Sequence, residues 1–240
     1  MSDLSQVTAV ILAGGLGTRL RKVVSDIPKV MADISGTPFL CYLLDQLAEA
    51  GIEPVIISTG YKGHVIEEAI GFSYKELQVD YFREKTPLGT AGALKLVGQV
   101  VNTEQCLVMN GDSYTEFDPV SLLMTQNQSN ANITIIVKAV EDTSRYGSIQ
   151  MDEHKNITQF TEKGSSTGRG LINAGIYLMN RNLILEIPEK IPCSLEYDYF
   201  PSMIGKGIYG YETEGNFIDI GTPESYADAS RFFEEKIVSV

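Results

Sequence analysis

The chain is short of the side chains that most covalent and metal-centred chemistries need. It has only two histidines in 240 residues, His64 and His154. Neither has a second His, Cys or acid at ligand spacing, so both read as surface residues. Its three cysteines, Cys41, Cys106 and Cys193, stand far apart among apolar residues with no C-x-x-C. Buried thiols are expected, not a disulfide framework, and that fits a reducing cytoplasm. There is no G-x-S-x-G and no suggestive Cys/His pairing, so covalent catalysis has no support. No run of about eighteen apolar residues occurs, and no basic segment precedes the first apolar stretch, so neither a transmembrane span nor a signal peptide is expected.

Positive charge is also scarce. Nineteen Lys and Arg face 31 Asp and Glu, for a net charge of -12. Such a chain is a poor partner for nucleic-acid polymers or anionic membranes. A phosphate-bearing small molecule would need a local cationic cluster, and Arg19, Arg21, Lys22 and Lys29 supply one. Divalent ions could add the rest. Length and a 43% hydrophobic content suffice for one sizeable α/β core.

What the chain has in abundance is glycine in one place. An apolar run, Ala9 to Leu12, reads as a buried strand and stops at Gly14, Gly15 and Gly17, followed by Thr18 and Arg19. Three glycines in four positions weaken a strand but suit a loop whose N–H groups approach an anion closely. The dinucleotide pattern fails because Leu20 stands at its third glycine, and the P-loop pattern fails because Thr18-Arg19 follows Gly17. A third kind of phosphate loop with Arg19 as its cation is favoured over a glycine-rich turn with a solvated arginine.

Strand and helix signals then alternate. A helix is expected over 37–50, capped by Thr37 with Pro38 in its first turn and Gly51 at its end. Strands are expected at 54–58, 78–83 and 105–110, and helices at 63–70 and 90–97. This alternation argues for a mostly parallel sheet with helices on both faces. Beyond residue 131 come strands at 132–140 and 172–179, a hairpin joining 147–151 to 157–162, and a helix at 196–204. A second hairpin is expected between 208–212 and 216–220 across Thr213-Glu214-Gly215. The last helix should start at Thr222-Pro223-Glu224. With no linker, repeat or low-complexity tract, one domain spans 1–240. Its first half, to about residue 115, would bind nucleotide, and the second would complete the sheet.

In open α/β sheets ligands sit beyond the carboxyl ends of the strands. Asn110-Gly111-Asp112 and Asp219 fall at such ends, beside the glycine loop. Two carboxylates there suit Mg²⁺, which takes one or two protein acids plus phosphate oxygens. An ordinary Gly-Asp turn, and an aspartate bonded to the next helix, are the plainer alternatives. Lys29, held between Pro28 and apolar residues, is placed to stabilise charge on a phosphate in transfer. Glu162-Lys163 and Asn173 offer carboxylate, amide and backbone groups, which sugar hydroxyls need, although Glu162-Lys163 also reads as a solvated loop-edge pair.

Leu12-Ala-Gly-Gly-Leu-Gly-Thr-Arg-Leu20, Pro28-Lys29, Pro87-Leu-Gly-Thr-Ala-Gly-Ala93, Asn110-Gly-Asp112, Glu162-Lys163, Asn173-Ala-Gly175 and Phe217-Ile-Asp-Ile-Gly-Thr-Pro223 together resemble the sugar-1-phosphate nucleotidylyltransferases. The resemblance runs from about residue 7 to residue 230. It implies a Rossmann-like nucleotidyltransferase fold, three-layer α/β/α with a mixed, mostly parallel central sheet. It also implies attack of a sugar 1-phosphate oxygen on the α-phosphate of a nucleoside triphosphate. By motif, Leu12, Ala13, Gly14, Gly15, Gly17, Thr18, Arg19 and Asp112 would hold the nucleotide, with Glu84, Pro87, Leu88, Gly89 and Thr90 beside its base. Arg19, Lys29 and Asp112 would be catalytic, Asp112 and Asp219 would hold Mg²⁺, and Tyr146, Gly147, Glu162, Lys163 and Asn173 would face the sugar phosphate.

Glu84 stands where thymidylyl-transferring relatives carry Gln, and a carboxylate only accepts hydrogen bonds, which suits guanine. Arg145-Tyr146-Gly147, Leu171 to Gly175 and Ser194 to Asp198 look most like the branch that uses GTP and a heptose 1-phosphate for surface glycans. Mannose 1-phosphate guanylyl transfer and glucose 1-phosphate thymidylyl or uridylyl transfer are the alternatives, and a non-catalytic sugar-nucleotide sensor is the alternative of another class. Longer relatives carry a C-terminal β-helix, so acetyl transfer is not expected. A homodimer is left open.

Overall fold

The structure is a computed structural model. It describes residues 4–15, 17, 20, 24, 27–165, 167–189 and 192–238. Thr18 and Arg19, and with them Arg21 and Lys22, lie outside the described residues.

The first half alternates as its sequence pattern requires. Strand β1 (Val7–Ala13) is followed by the two-residue strands β2 (Asp33–Ile34) and β3 (Thr37–Pro38), then helix α1 (Phe39–Ala50). Next come β4 (Val55–Thr59), α2 (Gly63–Ile70), β5 (Ser73–Tyr74), β6 (Leu77–Arg83), α3 (Gly89–Gly98) and β7 (Gln105–Asn110). Strands β6, β4, β1 and β7 lie side by side and all parallel. Their carboxyl ends therefore share one edge of the sheet, where Gly14, Gly60, Glu84 and Gly111-Asp112 emerge.

The second half extends the same sheet. It contains β8 (Ser113–Thr115), α4 (Pro119–Ser129), β9 (Ile133–Val140), β10 (Ser148–Met151), β11 (Ile157–Thr161), β12 (Gly170–Asn180) and α5 (Arg181–Leu185). A single π-helical turn, Leu195–Tyr199, runs into α6 (Phe200–Ser202), and β13 (Ile208–Glu212), β14 (Phe217–Asp219) and α7 (Pro223–Val238) complete the chain. Strand β12 pairs antiparallel with both β7 and β9, which joins the two halves in one ten-stranded sheet. The hairpin of β10 and β11 forms as expected.

Each face of the sheet is covered. Leu40, Leu43, Leu44 and Leu47 of α1, Ile66 and Ile70 of α2, and Ala229 and Phe233 of α7 pack on one side. Ala91, Leu94 and Val97 of α3, Ile184 of α5 and Phe200 of α6 pack on the other. All three cysteines are buried, and His64 and His154 are exposed. Among the described residues no helix is long and apolar enough to cross a membrane.

Two sequence expectations fail. Thr37 does not cap α1. It pairs with Ile34 in the β2–β3 hairpin, whose turn is made by Ser35 and Gly36 at positive φ, so the helix starts at Phe39 with Pro38 as its cap residue. The expected hairpin of 208–212 with 216–220 does not form either. Strand β13 runs parallel to β9, and β14 runs antiparallel to β8. The intervening loop is held by Glu116: its carboxylate accepts from the Asn216 N–H at 3.1 Å, and its carbonyl accepts from the Thr213 hydroxyl at 2.9 Å. The consequence for the site is direct, because Asp219 lands opposite Ser113.

Candidate active site

Lys29 and Asp112 form the centre of the site. Pro28 leads into a 3-10 turn, Lys29–Met31, whose Val30 and Met31 are buried, so the turn is anchored from below. Gly17 has φ +58 and a Cβ there would lie 3.0 Å from the Lys29 Cβ. The glycine loop thus folds directly over the lysine stem. The Lys29 ammonium donates to Asp112 Oδ2 at 2.6 Å, with the lysine side chain 13% and the aspartate side chain 43% exposed. Burial pushes the Asp112 carboxyl up, but the Lys29 ammonium, the Ser113 hydroxyl and the Lys163 charge together hold it below the usual carboxylate value.

Asp219 is delivered to the same place by β14. The Ile220 N–H donates to the Asp112 carbonyl at 2.9 Å, and a Cβ on Gly221 would lie 3.6 Å from Lys29 Nζ. Asp219 Oδ1 accepts from the Gly221 N–H and Oδ2 accepts from the Tyr146 hydroxyl, both at 2.8 Å. Burial, and then the Asp219 charge, push the Tyr146 hydroxyl well up. Among the described residues no three His, Cys, Asp or Glu side chains gather as a metal site. Two oxygen acids near the glycine loop nevertheless suit Mg²⁺, which takes one or two protein carboxylates and completes its shell with other oxygens.

Glu84, at the end of β6, sits against the glycine loop: a Cβ on Gly14 would collide with its Oε1. Its other oxygen accepts from the Leu88 N–H at 3.0 Å, which shapes the loop through exposed Pro87. Burial pushes the Glu84 carboxyl up against that hydrogen bond. Gly89 has φ +76, and any Cβ there would meet the Cys193 carbonyl. The start of α3 is thereby clamped to the 193–196 segment. The Thr90 hydroxyl is used in the clamp, donating to Glu196 Oε2 at 3.0 Å and accepting from the Leu195 N–H at 2.8 Å. Leu12 and Ala13 are the last residues of β1, and Gly15 is exposed beyond them.

Beside the end of β7 lies a polar hub whose connections sequence reasoning missed, although the sequence singles out Asn173 and the Ser194 to Asp198 pattern. Tyr177, fully buried in β12, donates its hydroxyl to Glu196 Oε1 at 3.1 Å. Asn110 donates to Glu196 at 3.2 Å and to the Tyr177 oxygen at 3.3 Å, and Asn173 donates to that oxygen at 3.0 Å. Ser194 caps the π turn and also donates to Glu196, at 2.9 Å. Burial, then the Glu196 charge, push the Tyr177 hydroxyl far up, so it stays a donor. The signals in the sequence are Asn173 in its apolar strand and the Ser194 to Asp198 pattern, with nothing to join them to Tyr177. Of the other candidates, Gly147 packs its backbone against the Thr161 carbonyl, while Glu162 and Lys163 are exposed at the end of β11. Lys163 is still near enough to act on Asp112.

The family described as nucleotidyl transferase matches residues 8–236. A mannose-1-phosphate guanylyltransferase of Mycobacterium tuberculosis is 38% identical over 94% of this chain, and the chain spans 64% of that relative. A D-glycero-alpha-D-manno-heptose 1-phosphate guanylyltransferase of Aneurinibacillus thermoaerophilus is 36% identical over 95% of this chain and 99% of its own length. The crystal structure of HddC from Yersinia pseudotuberculosis superposes with a TM-score of 0.85 at 38% identity, covering 94% of this chain and 99% of that one. The same protein has been solved with GMP-PN.

Proposed function

The chain belongs to the nucleotidyl transferase family, and from that premise we propose that it transfers a guanylyl group from GTP to a sugar 1-phosphate. The favoured acceptor is D-glycero-α-D-manno-heptose 1-phosphate, and the products are a GDP-sugar and pyrophosphate, made in the cytoplasm for a surface glycan. The observation that carries this reading is the meeting of Lys29, Asp112 and Asp219 at the carboxyl edge of four parallel strands, directly under the glycine loop.

In this reading a sugar 1-phosphate oxygen bonds to the α-phosphorus of GTP while the bond to the β-phosphate oxygen breaks, and pyrophosphate leaves. The nucleophile is already an anion, so no strong general base is required. What the protein supplies is position and charge. The first half of the chain holds the nucleotide: the backbone of Gly14, Gly15 and Gly17 cradles the phosphates, and by the family motif Thr18 and Arg19, outside the described residues, would take part. Lys29 stabilises the charge that builds on the α-phosphate. Asp112 and Asp219 would hold Mg²⁺, which neutralises phosphate charge when bound. The second half holds the acceptor: Lys163 faces the 1-phosphate, and Tyr146, Gly147, Glu162, Asn173 and the Tyr177–Glu196 hub meet the hydroxyls. Glu84 accepts from the N–H donors of guanine with the oxygen that Leu88 leaves available.

The relatives favour guanine over other bases and divide over the sugar: heptose enzymes align along nearly their full length, while the mycobacterial mannose relative is 38% identical. Pyrophosphate release with Mg²⁺, across four nucleoside triphosphates and heptose, mannose and glucose 1-phosphates, tests the proposal. GTP with the heptose 1-phosphate should give the highest kcat/KM. A preference for mannose 1-phosphate moves the acceptor, and turnover with only UTP or dTTP removes the role of Glu84.

A further inference from the structure

The two acids of the site are neutralised by cations of very different mobility. Asp112 is paired at 2.6 Å with Lys29, which is almost wholly buried. Asp219, 17% exposed, is paired with Arg145, whose Nη2 stands 3.6 Å from Oδ2 and whose side chain is 48% exposed. The same Nη2 also reaches Thr222 Oγ1 at 3.4 Å, and the guanidinium lies over the Tyr146 ring, 5.5 Å from its centre. Asp219 itself keeps two shorter hydrogen bonds, from Gly221 and Tyr146, without any help from Arg145. The arginine is therefore dispensable for orienting the carboxylate. It is a loose, half-solvated counter-charge, a kind of pair that is easily exchanged.

We propose that Arg145 is the displaceable counter-cation of Asp219: it neutralises the acid in the metal-free protein, competes with the divalent cation for it, and on release lends its charge to the 1-phosphate of the acceptor. The inference rests on the reading of Asp112 and Asp219 as metal ligands. Its logic is charge balance. Lys29, Arg145 and, at longer range, Lys163 already offset the two carboxylates in the metal-free protein, so a divalent ion on the same carboxylates leaves cations in excess. Lys29 is only 13% exposed and is pinned under Gly17, so it stays. Arg145 is half exposed and joined to the site by contacts of 3.4 Å or longer, so it turns away. Its immediate neighbours Tyr146 and Gly147 are assigned to the acceptor's hydroxyls, and Lys163, assigned to the 1-phosphate, acts on the paired Asp112, so a released guanidinium stays on the acceptor side of the site.

The test measures Mn²⁺ binding to the substrate-free protein by electron paramagnetic resonance of the free ion, alongside steady-state kinetics. Arg145→Gln should bind Mn²⁺ about two- to fivefold more tightly, the size of a weak exposed pair removed, while KM for the sugar 1-phosphate rises about tenfold through loss of a charge-assisted contact. Arg145→Lys should fall between wild type and Gln on both readouts. Asp219→Asn is the control for the underlying reading and should weaken Mn²⁺ binding sharply. If Asp219→Asn binds Mn²⁺ as wild type does, the metal assignment itself is wrong. If Asp219→Asn loses the ion but Arg145→Gln binds it equally or more weakly, the counter-cation proposal is overturned and the metal assignment stands. Tighter Mn²⁺ binding with an unchanged sugar 1-phosphate KM overturns the second half of the proposal alone.

Discussion

Lys29 and Asp112 lie 83 residues apart in the chain and 2.6 Å apart in the fold. The lysine arrives on a proline-led turn, the aspartate at the end of a buried parallel strand, and Gly17 lies against the lysine stem. Removing either partner should affect turnover far more than folding. Lys29→Met and Asp112→Asn should each lower kcat by about 10²–10³, the range for losing one preorganised charge at a reacting centre. Thermal midpoints should move little, since the aspartate left by Lys29→Met is 43% exposed and water can solvate it, and the Asp112→Asn side chain keeps an oxygen that accepts from the ammonium. Pyrophosphate release at saturating substrates, with circular dichroism on the same samples, checks this. A small change in kcat for Lys29→Met would reduce the lysine to a structural counter-ion.

Tyr177→Phe gives a different outcome. The buried hydroxyl is shared by Glu196, Asn110 and Asn173, so deleting it removes three hydrogen bonds at once and leaves only the Asn110–Glu196 bond among these groups. A loss of about 1–3 kcal/mol in stability is expected, as for other buried groups left without partners. Denaturant unfolding measures it. The KM for the acceptor should rise with the loosening of Glu196, while the KM for GTP stays near wild type.

Much of this site was legible because its parts are local signals: glycines that end a strand, an aspartate after Asn-Gly, a lysine after a proline. Parallel strands then place their carboxyl ends together without further instruction. The hub was not legible, since Glu196 meets Thr90 and Asn110 across 106 and 86 residues. No spacing rule connects such positions. The strand pairing of β14 failed for the opposite reason. Thr213-Glu214-Gly215 has the composition of a hairpin turn, but its polar groups are used by the distant Glu116, Val137 and Lys138. The error was harmless to the assignment of Asp219, whose place at a strand end holds under either pairing.

Gly89→Ala probes the clamp between α3 and the 193–196 segment. The residue has φ +76, and a Cβ would run into the Cys193 carbonyl. Backbone strain and collision act in the same direction, so the loss should exceed about 1 kcal/mol. Because Leu195 and Glu196 hang on Thr90, the variant should also raise the acceptor KM. Gly71→Ala, also at positive φ but with open space around it, should show the strain alone and leave KM unchanged.

Asp118 offers a test by pH, remote from the active site. It caps α4, accepting from the Val120 N–H at 3.0 Å and from the Ser121 hydroxyl. The Ser121 hydroxyl first, and the backbone N–H groups with it, hold its carboxyl below the usual aspartate value. A depressed carboxylate stabilises the fold above its unfolded-state value, about 3.9, and loses that contribution as pH falls through the lower folded value. Asp118→Ala should therefore cost about 1 kcal/mol at pH 7, the usual worth of an N-cap. The gap between wild type and variant should hold from pH 7 to about 5 and shrink below about pH 4. Urea unfolding of both proteins across that range measures it, and a gap that stays constant down to pH 3 would show that the charge of Asp118 contributes nothing to the cap.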